Sequence, residues 1–131
     1  MIDENEIIDG CNISFNERVF SVKWKQVNKV IIRPVDDIGF IETKFDALKP
    51  IAISPEILLK IGFTKDADNT FSFIDSELTT YKIELRGPQH IALIVGGNNS
   101  EIKITSLHQL QKIIFEMSNH CLSIIENPVA E

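Results

Sequence analysis

Three histidines are the first side chains with chemistry to offer, and their spacing assigns them no metal. His90, His108 and His120 have no partner at i, i+4 and no Cys or carboxylate at ligand spacing, so zinc is not expected. Asp66, Asp68, Thr70 and Glu77 fall at positions one, three, five and twelve of a calcium loop. The sixth position is Phe71, where the sharp turn needs Gly, so a plain Asp-Asn turn is the expectation. A G-x-S-x-G elbow, a Cys-x-x-Cys pair and a phosphate loop are all missing, and Gly96-Gly97 lacks the Lys and Ser of a phosphate cradle. Asp36-Asp37 reads as a surface turn. The sequence therefore predicts no enzyme, no cofactor and no metal.

Two groups of residues could bind something. Arg18, Lys23, Lys25, Lys29 and Arg33 occur with no acidic residue in the interval 18–33, interleaved with Phe20 and Trp24. Bases on a curved sheet could stack on the aromatics while the cations hold the backbone, which would make this segment a nucleic-acid surface. The alternation argues the other way: Phe20, Val22 and Trp24 share one strand face, so Trp24 is expected in the core and the lysines as guards of an edge. The second group is a helical flank. Leu107, Leu110, Ile113, Ile114 and Met117 recur at helical spacing as a buried stripe, which leaves His108, Gln111, Lys112 and Phe115 beside it for a partner. His108 has a structural reading as well, as a hydrogen-bonded side chain tying its helix to a strand.

The elements that must position these groups are short. Strands are predicted at 12–15, 18–24, 27–33 and 38–43, with turns at Asn16-Glu17 and 34–37, and they suggest a small barrel or strongly curved sheet. Ser54 can cap a helix that starts at Pro55 and runs to Ile61. Gly62 would end it, and Phe63 would make the hydrophobic contact of a Schellman motif. Strands follow at 70–74, 80–85, 90–95 and 101–104, the last two joined by the turn 96–100. A second helix opens at Ser106 with Gln109 completing a capping box, and Asn119 terminates it in the left-handed conformation. A final strand is predicted at 121–125, then a loose tail. The expected fold is α+β: an N-terminal small barrel-like β-sheet of the SH3-like kind, then a helix, a mostly antiparallel sheet and a second covering helix. It divides into a β subdomain, 1–50, and an α+β subdomain, 51–131, packed together.

Composition narrows the partners. The 131 residues suit one domain or two sharing a core, and 44% hydrophobic residues can build that core without staples. A net charge of −6 disfavours a general polyanion binder. No apolar run approaches the roughly 20 residues of a spanning helix, and the acidic start lacks the regions of a signal peptide, so a cytoplasmic location away from membranes is expected. Cys11 and Cys121 read as reduced thiols.

Lys49-Pro50-Ile51, the block Ser54 to Phe63, and Leu107-His108-Gln109-Leu110-Gln111 with Phe115 resemble the two signature blocks of short proteins of uncharacterised activity found in phage, prophage and other mobile-element gene sets of Bacteroidetes. Order and spacing agree along nearly the whole chain. The family usually opens with Arg, an apolar residue, Gly-Asn and an aromatic, where this chain has Ile8-Asp9-Gly10-Cys11-Asn12-Ile13. It usually ends the helix in Leu-Thr-Gly, where this chain has Met117-Ser118-Asn119. The resemblance implies a mobile-element setting and an order of elements, and it carries no activity or substrate. The resulting expectation is a non-enzymatic accessory protein that binds an unknown protein or itself, with a nucleic-acid-binding module as the alternative.

Overall fold

The computed structural model describes residues 4–36, 39–87, 90–96, 101–119, 122 and 124. It is an α+β fold of two antiparallel sheets and two helices. The first sheet orders β1 (Asn12–Phe15), β2 (Arg18–Lys25), β3 (Val30–Pro34) and β4 (Ile41–Thr43) in sequence. Its outer strands, β1 and β4, do not pair with each other, so the sheet stays open and forms no closed barrel. The second sheet orders β5 (Thr64–Ala67), β6 (Thr70–Ile74), β7 (Thr80–Gly87), β8 (His90–Val95) and β9 (Glu101–Ile104). The strand β5 lies where the sequence predicts a plain Asp-Asn turn. Asn69, with φ 65°, still makes the tight turn into β6, but the residues before it pair with β6 across a bulge.

Local chemistry explains the connections. Asn16 and Glu17 both have positive φ, the geometry that a two-residue hairpin needs to match strand twist. The helix α1 (Pro55–Lys60) starts with Pro55, and the Ser54 hydroxyl accepts from the Ile57 N–H at 3.3 Å. It stops as the sequence predicts. The Phe63 N–H donates to the Leu58 carbonyl at 2.9 Å and the Gly62 N–H to that of Leu59 at 3.3 Å, the paired bonds of a Schellman motif. Gly62 has φ 110°, with nothing within 4 Å of where a Cβ would stand. Replacing it by Val is therefore a test of backbone strain alone. The melting temperature should fall by the equivalent of more than about 1 kcal/mol, and an unchanged value would remove this helix stop.

Each sheet has its own core. Ile13, Phe20, Val22, Val30 and Ile32 bury one face of the first sheet against Ile7, Cys11, Phe45 and Leu48. The second core joins Phe71, Tyr81, Ile83, Leu93 and Ile104 to Leu58 and Phe63 and to Leu107, Leu110 and Ile114 of helix α2 (Leu107–Ser118). Val19 and Val35, from the other face of the first sheet, pack against this second core. The helix α2 thus lies between the two sheets. Met117, expected in its buried stripe, is 51% exposed, because the stripe closes at Ile114. Asn119 ends the helix with φ 58°, as predicted. The expected last strand and the tail fall outside the described residues, except Leu122 and Ile124, which are buried and not in a strand. The turn after β8 is likewise outside them beyond Gly96. No helix among the described residues is long and apolar enough to cross a membrane.

Candidate functional site

Two of the four residues read as a partner-facing flank are inside the fold. Gln111 is 0% exposed and His108 is 2% exposed, whereas Lys112 is half-buried and Phe115 is exposed. The reason is that α2 has two covered sides. Leu107, Leu110 and Ile114 meet the second sheet, and the row containing His108 and Gln111 meets the first sheet and the N-terminal turn.

Gln111 is the centre of a buried polar network. Its Oε1 accepts from the Asn12 backbone N–H at 2.8 Å, and its Nε2 donates to Asn12 Oδ1 at 2.8 Å and to the Leu122 carbonyl at 2.8 Å. Asn12 Oδ1 also accepts from the Ile124 N–H at 2.8 Å, and Asn12 Nδ2 donates to the Ser21 hydroxyl at 3.3 Å. Among the described residues no buried side-chain nitrogen or oxygen lacks a partner. A satisfied network of this kind holds β1, α2 and the segment after it in one geometry. Nothing local marks Asn12 as the partner of Gln111 and Ile124, which lie 99 and 112 residues away, although a polar residue opening a strand is a visible signal.

His108 belongs to a second cluster, at the start of α2. A short 3-10 turn at Glu4–Glu6 brings Glu6 Oε1 to 3.3 Å from His108 Nε2, and His108 Nδ1 lies 3.2 Å from the Ser106 hydroxyl. Glu6 Oε2 accepts from Gln109 Nε2 at 3.0 Å. A carboxylate only accepts, so Nε2 carries the ring proton and Nδ1 receives the Ser106 O–H. The expected capping box is displaced by one residue: Ser106 makes no cap bond, and Gln109 Oε1 instead accepts from the Thr105 N–H and hydroxyl, both at 2.9 Å. These residues, with Pro50 and Ala52, line an open cavity of about 290 Å³. A second cavity of about 190 Å³ shares Glu6 and Gln109 and adds Lys103, Lys112 and Glu116.

Burial pushes the His108 imidazole below its ordinary pKa, against the smaller upward pull of Glu6. The unfolded chain then takes up a proton more readily than the folded one. His108 contributes stability that is complete above about pH 6.5, the ordinary histidine value, and is lost as the pH falls from there through the folded value. Melting temperatures at pH 7 and pH 5 should therefore differ more for the wild type than for His108→Gln. Equal differences would place the acid sensitivity elsewhere.

The basic segment is also rearranged. A bulge shifts the β2–β3 register between Val22, opposite Ile32, and Trp24, opposite Ile31. Trp24 is thereby turned off the Phe20 and Val22 face and is 49% exposed, contrary to the core position that simple alternation predicts. Arg18 is paired with Asp36 at 2.9 Å, and the Arg18 guanidinium holds the Asp36 carboxyl below its usual pKa. Lys29 is paired with Glu42 at 3.3 Å. Lys23 and Arg33 are half-buried and Lys25 is exposed. The five cations are strung along two strands and the turn between them, with two of them facing carboxylates brought in from later in the chain. Asp66, of the calcium-like spacing, lies in β5 and Asp68 in the turn that follows it, and no group of three or more His, Cys, Asp or Glu among the described residues could hold a metal ion.

Compared with protein-family models, curated proteins and solved structures, the chain matches none.

Proposed function

We propose that the protein works by association, and that the open edge of the first sheet pairs with the same edge of a second copy. The supporting observation is a contrast among the four sheet edges. The edge of β1 is covered by Lys49, which exchanges backbone bonds of 2.9 and 2.8 Å with Ser14. The β5 edge is exposed throughout and carries Lys65 and Asp66, and β9 carries exposed Glu101 and Lys103. Charges of this kind blunt an edge against pairing. The β4 edge instead offers exposed Phe40 and Ile41, with Glu42 as the one charge of the strand. Trp24, Ile31 and Glu42 form one row across β2, β3 and β4, which puts the exposed indole about 10 Å from that edge.

A second copy suits the edge because the chain complements itself there. Lys44 continues β4 in extended conformation, at φ −91° and ψ 155°. Antiparallel pairing with Thr43 opposite Thr43 sets Glu42 of each copy against Lys44 of the other, so that Glu42, 3.3 Å from Lys29 in its own copy, would lie between two cations. The mobile-element setting is part of this proposal and rests on the sequence resemblance. Light scattering should find a concentration-dependent dimer that Ile41→Lys reduces to a monomer that is still folded by circular dichroism, with a melting temperature that no longer depends on concentration. A wild type that stays monomeric at high concentration would remove this reading.

Nucleic acid is the second reading, favoured by the exposure of Trp24 beside Lys23 and Lys25. The pairing of Arg18 and Lys29 and the net charge of −6 weigh against it. If it holds, single-stranded DNA or RNA binds the monomer, and the affinity falls steeply with added salt.

A further inference from the structure

We propose that Ser106 is a nucleophilic hydroxyl that accepts an acyl group from a small ester entering the cavity at the start of α2. Hydroxyl, imidazole and carboxylate form an unbroken relay there, from Ser106 through the two ring nitrogens of His108 to Glu6, with steps of 3.2 and 3.3 Å. The roles follow from the carboxylate, which keeps the proton on Nε2 and leaves the Nδ1 lone pair toward the Ser106 hydroxyl. Burial of the ring favours its neutral, proton-accepting form at neutral pH. Gln109 holds the other oxygen of Glu6 at 3.0 Å, fixing the carboxylate in place.

Ser106 occupies the N-cap position without capping, so its hydroxyl is committed to the imidazole. The N–H groups of His108 and Gln109 lie in the first turn of α2, where a helix leaves its N–H groups without an intrahelical acceptor, and can meet a developing oxyanion. As Ser106 Oγ bonds to the acyl carbon, its proton passes to His108 Nδ1, and the imidazolium is held against Glu6. The bond from the acyl carbon to the leaving oxygen then breaks, and that oxygen takes the proton from Nδ1. The products are acyl-Ser106 and one alcohol, with no oxidant, reductant or metal needed. A cavity of about 290 Å³ with Pro50 and Ala52 as its apolar wall suits a short acyl chain. The inference stands apart from the association proposal, since the cavity residues are none of those at the β4 edge.

The test uses the full chain and p-nitrophenyl acetate. A burst of one p-nitrophenolate per chain is expected, with the acetyl group on the peptide that contains Ser106. Ser106→Ala should abolish the burst, and His108→Gln should slow it by roughly a hundredfold. The groups beside the relay are Glu6 and, across the adjoining cavity, Lys103, Lys112 and Glu116. Wild-type acylation should rise with pH as His108 loses its proton, with the rise centred below the ordinary histidine value of about 6.5. Acetyl groups on lysines only, or an undiminished burst in Ser106→Ala, would overturn the proposal. Should His108→Gln fail to fold, the wild-type pH profile decides, and a rate that is flat through the histidine range overturns it.

Discussion

Gln111→Ala should destabilise the protein by roughly 2 to 5 kcal/mol, a large part of the 5 to 15 kcal/mol that holds a typical domain together. The side chain makes three hydrogen bonds of 2.8 Å inside the fold, and its loss leaves the Asn12 N–H and the Leu122 carbonyl without their partner. A buried group left unpaired costs about 1 to 3 kcal/mol, and the space vacated between α2 and β1 adds a cavity. Chemical denaturation read by circular dichroism checks the figure. A change within about 0.5 kcal/mol, the range of ordinary surface substitutions, would mean that Gln111 is the exposed flank residue that helical periodicity suggests.

Leu110→Ala should cost a similar amount, roughly 2 to 5 kcal/mol, by a different mechanism. Leu110 is fully buried in the core shared by the second sheet and both helices, so truncation loses transfer energy and leaves a void. The pair of variants is informative together. Sequence alone sets Leu110 inside and Gln111 outside, and predicts opposite behaviour on denaturation. A helix covered on two sides predicts that both unfold easily, Leu110→Ala through lost packing and Gln111→Ala through orphaned polar groups. Lys112→Ala, by contrast, should leave stability nearly unchanged, since Lys112 is only half-buried at the rim of the smaller cavity.

What was legible in the sequence is what is local. The α1 cap at Ser54, its Schellman stop at Gly62 and Phe63, the left-handed Asn119 and most strand positions depend on neighbours a few residues apart, and they stand as read. The misreadings concern properties of two segments at once. Trp24 leaves the core because the bulge exists only in the pairing of β2 with β3. Gln111 enters the core because Asn12, 99 residues earlier, covers the side of α2 that periodicity leaves open. His108 meets Glu6 across 102 residues, and nothing in the spacing of either announces it. The sheet stays open because β4 finds no partner beyond β3 among the described residues, and closure is not written into any one strand.

The central claim is that the β4 edge of the first sheet is a contact between two copies, and the backbone amides of β4 report on it directly. In the single copy Ile41, Glu42 and Thr43 pair with β3 on one side, and no strand among the described residues covers the other. Deuterium exchange of the peptide that carries β4, followed from high to nanomolar protein concentration, should pass from slow to fast. The midpoint should match the dissociation seen by light scattering, and Ile41→Lys should exchange fast at every concentration. Wild-type exchange that is equally fast at every concentration would contradict the account.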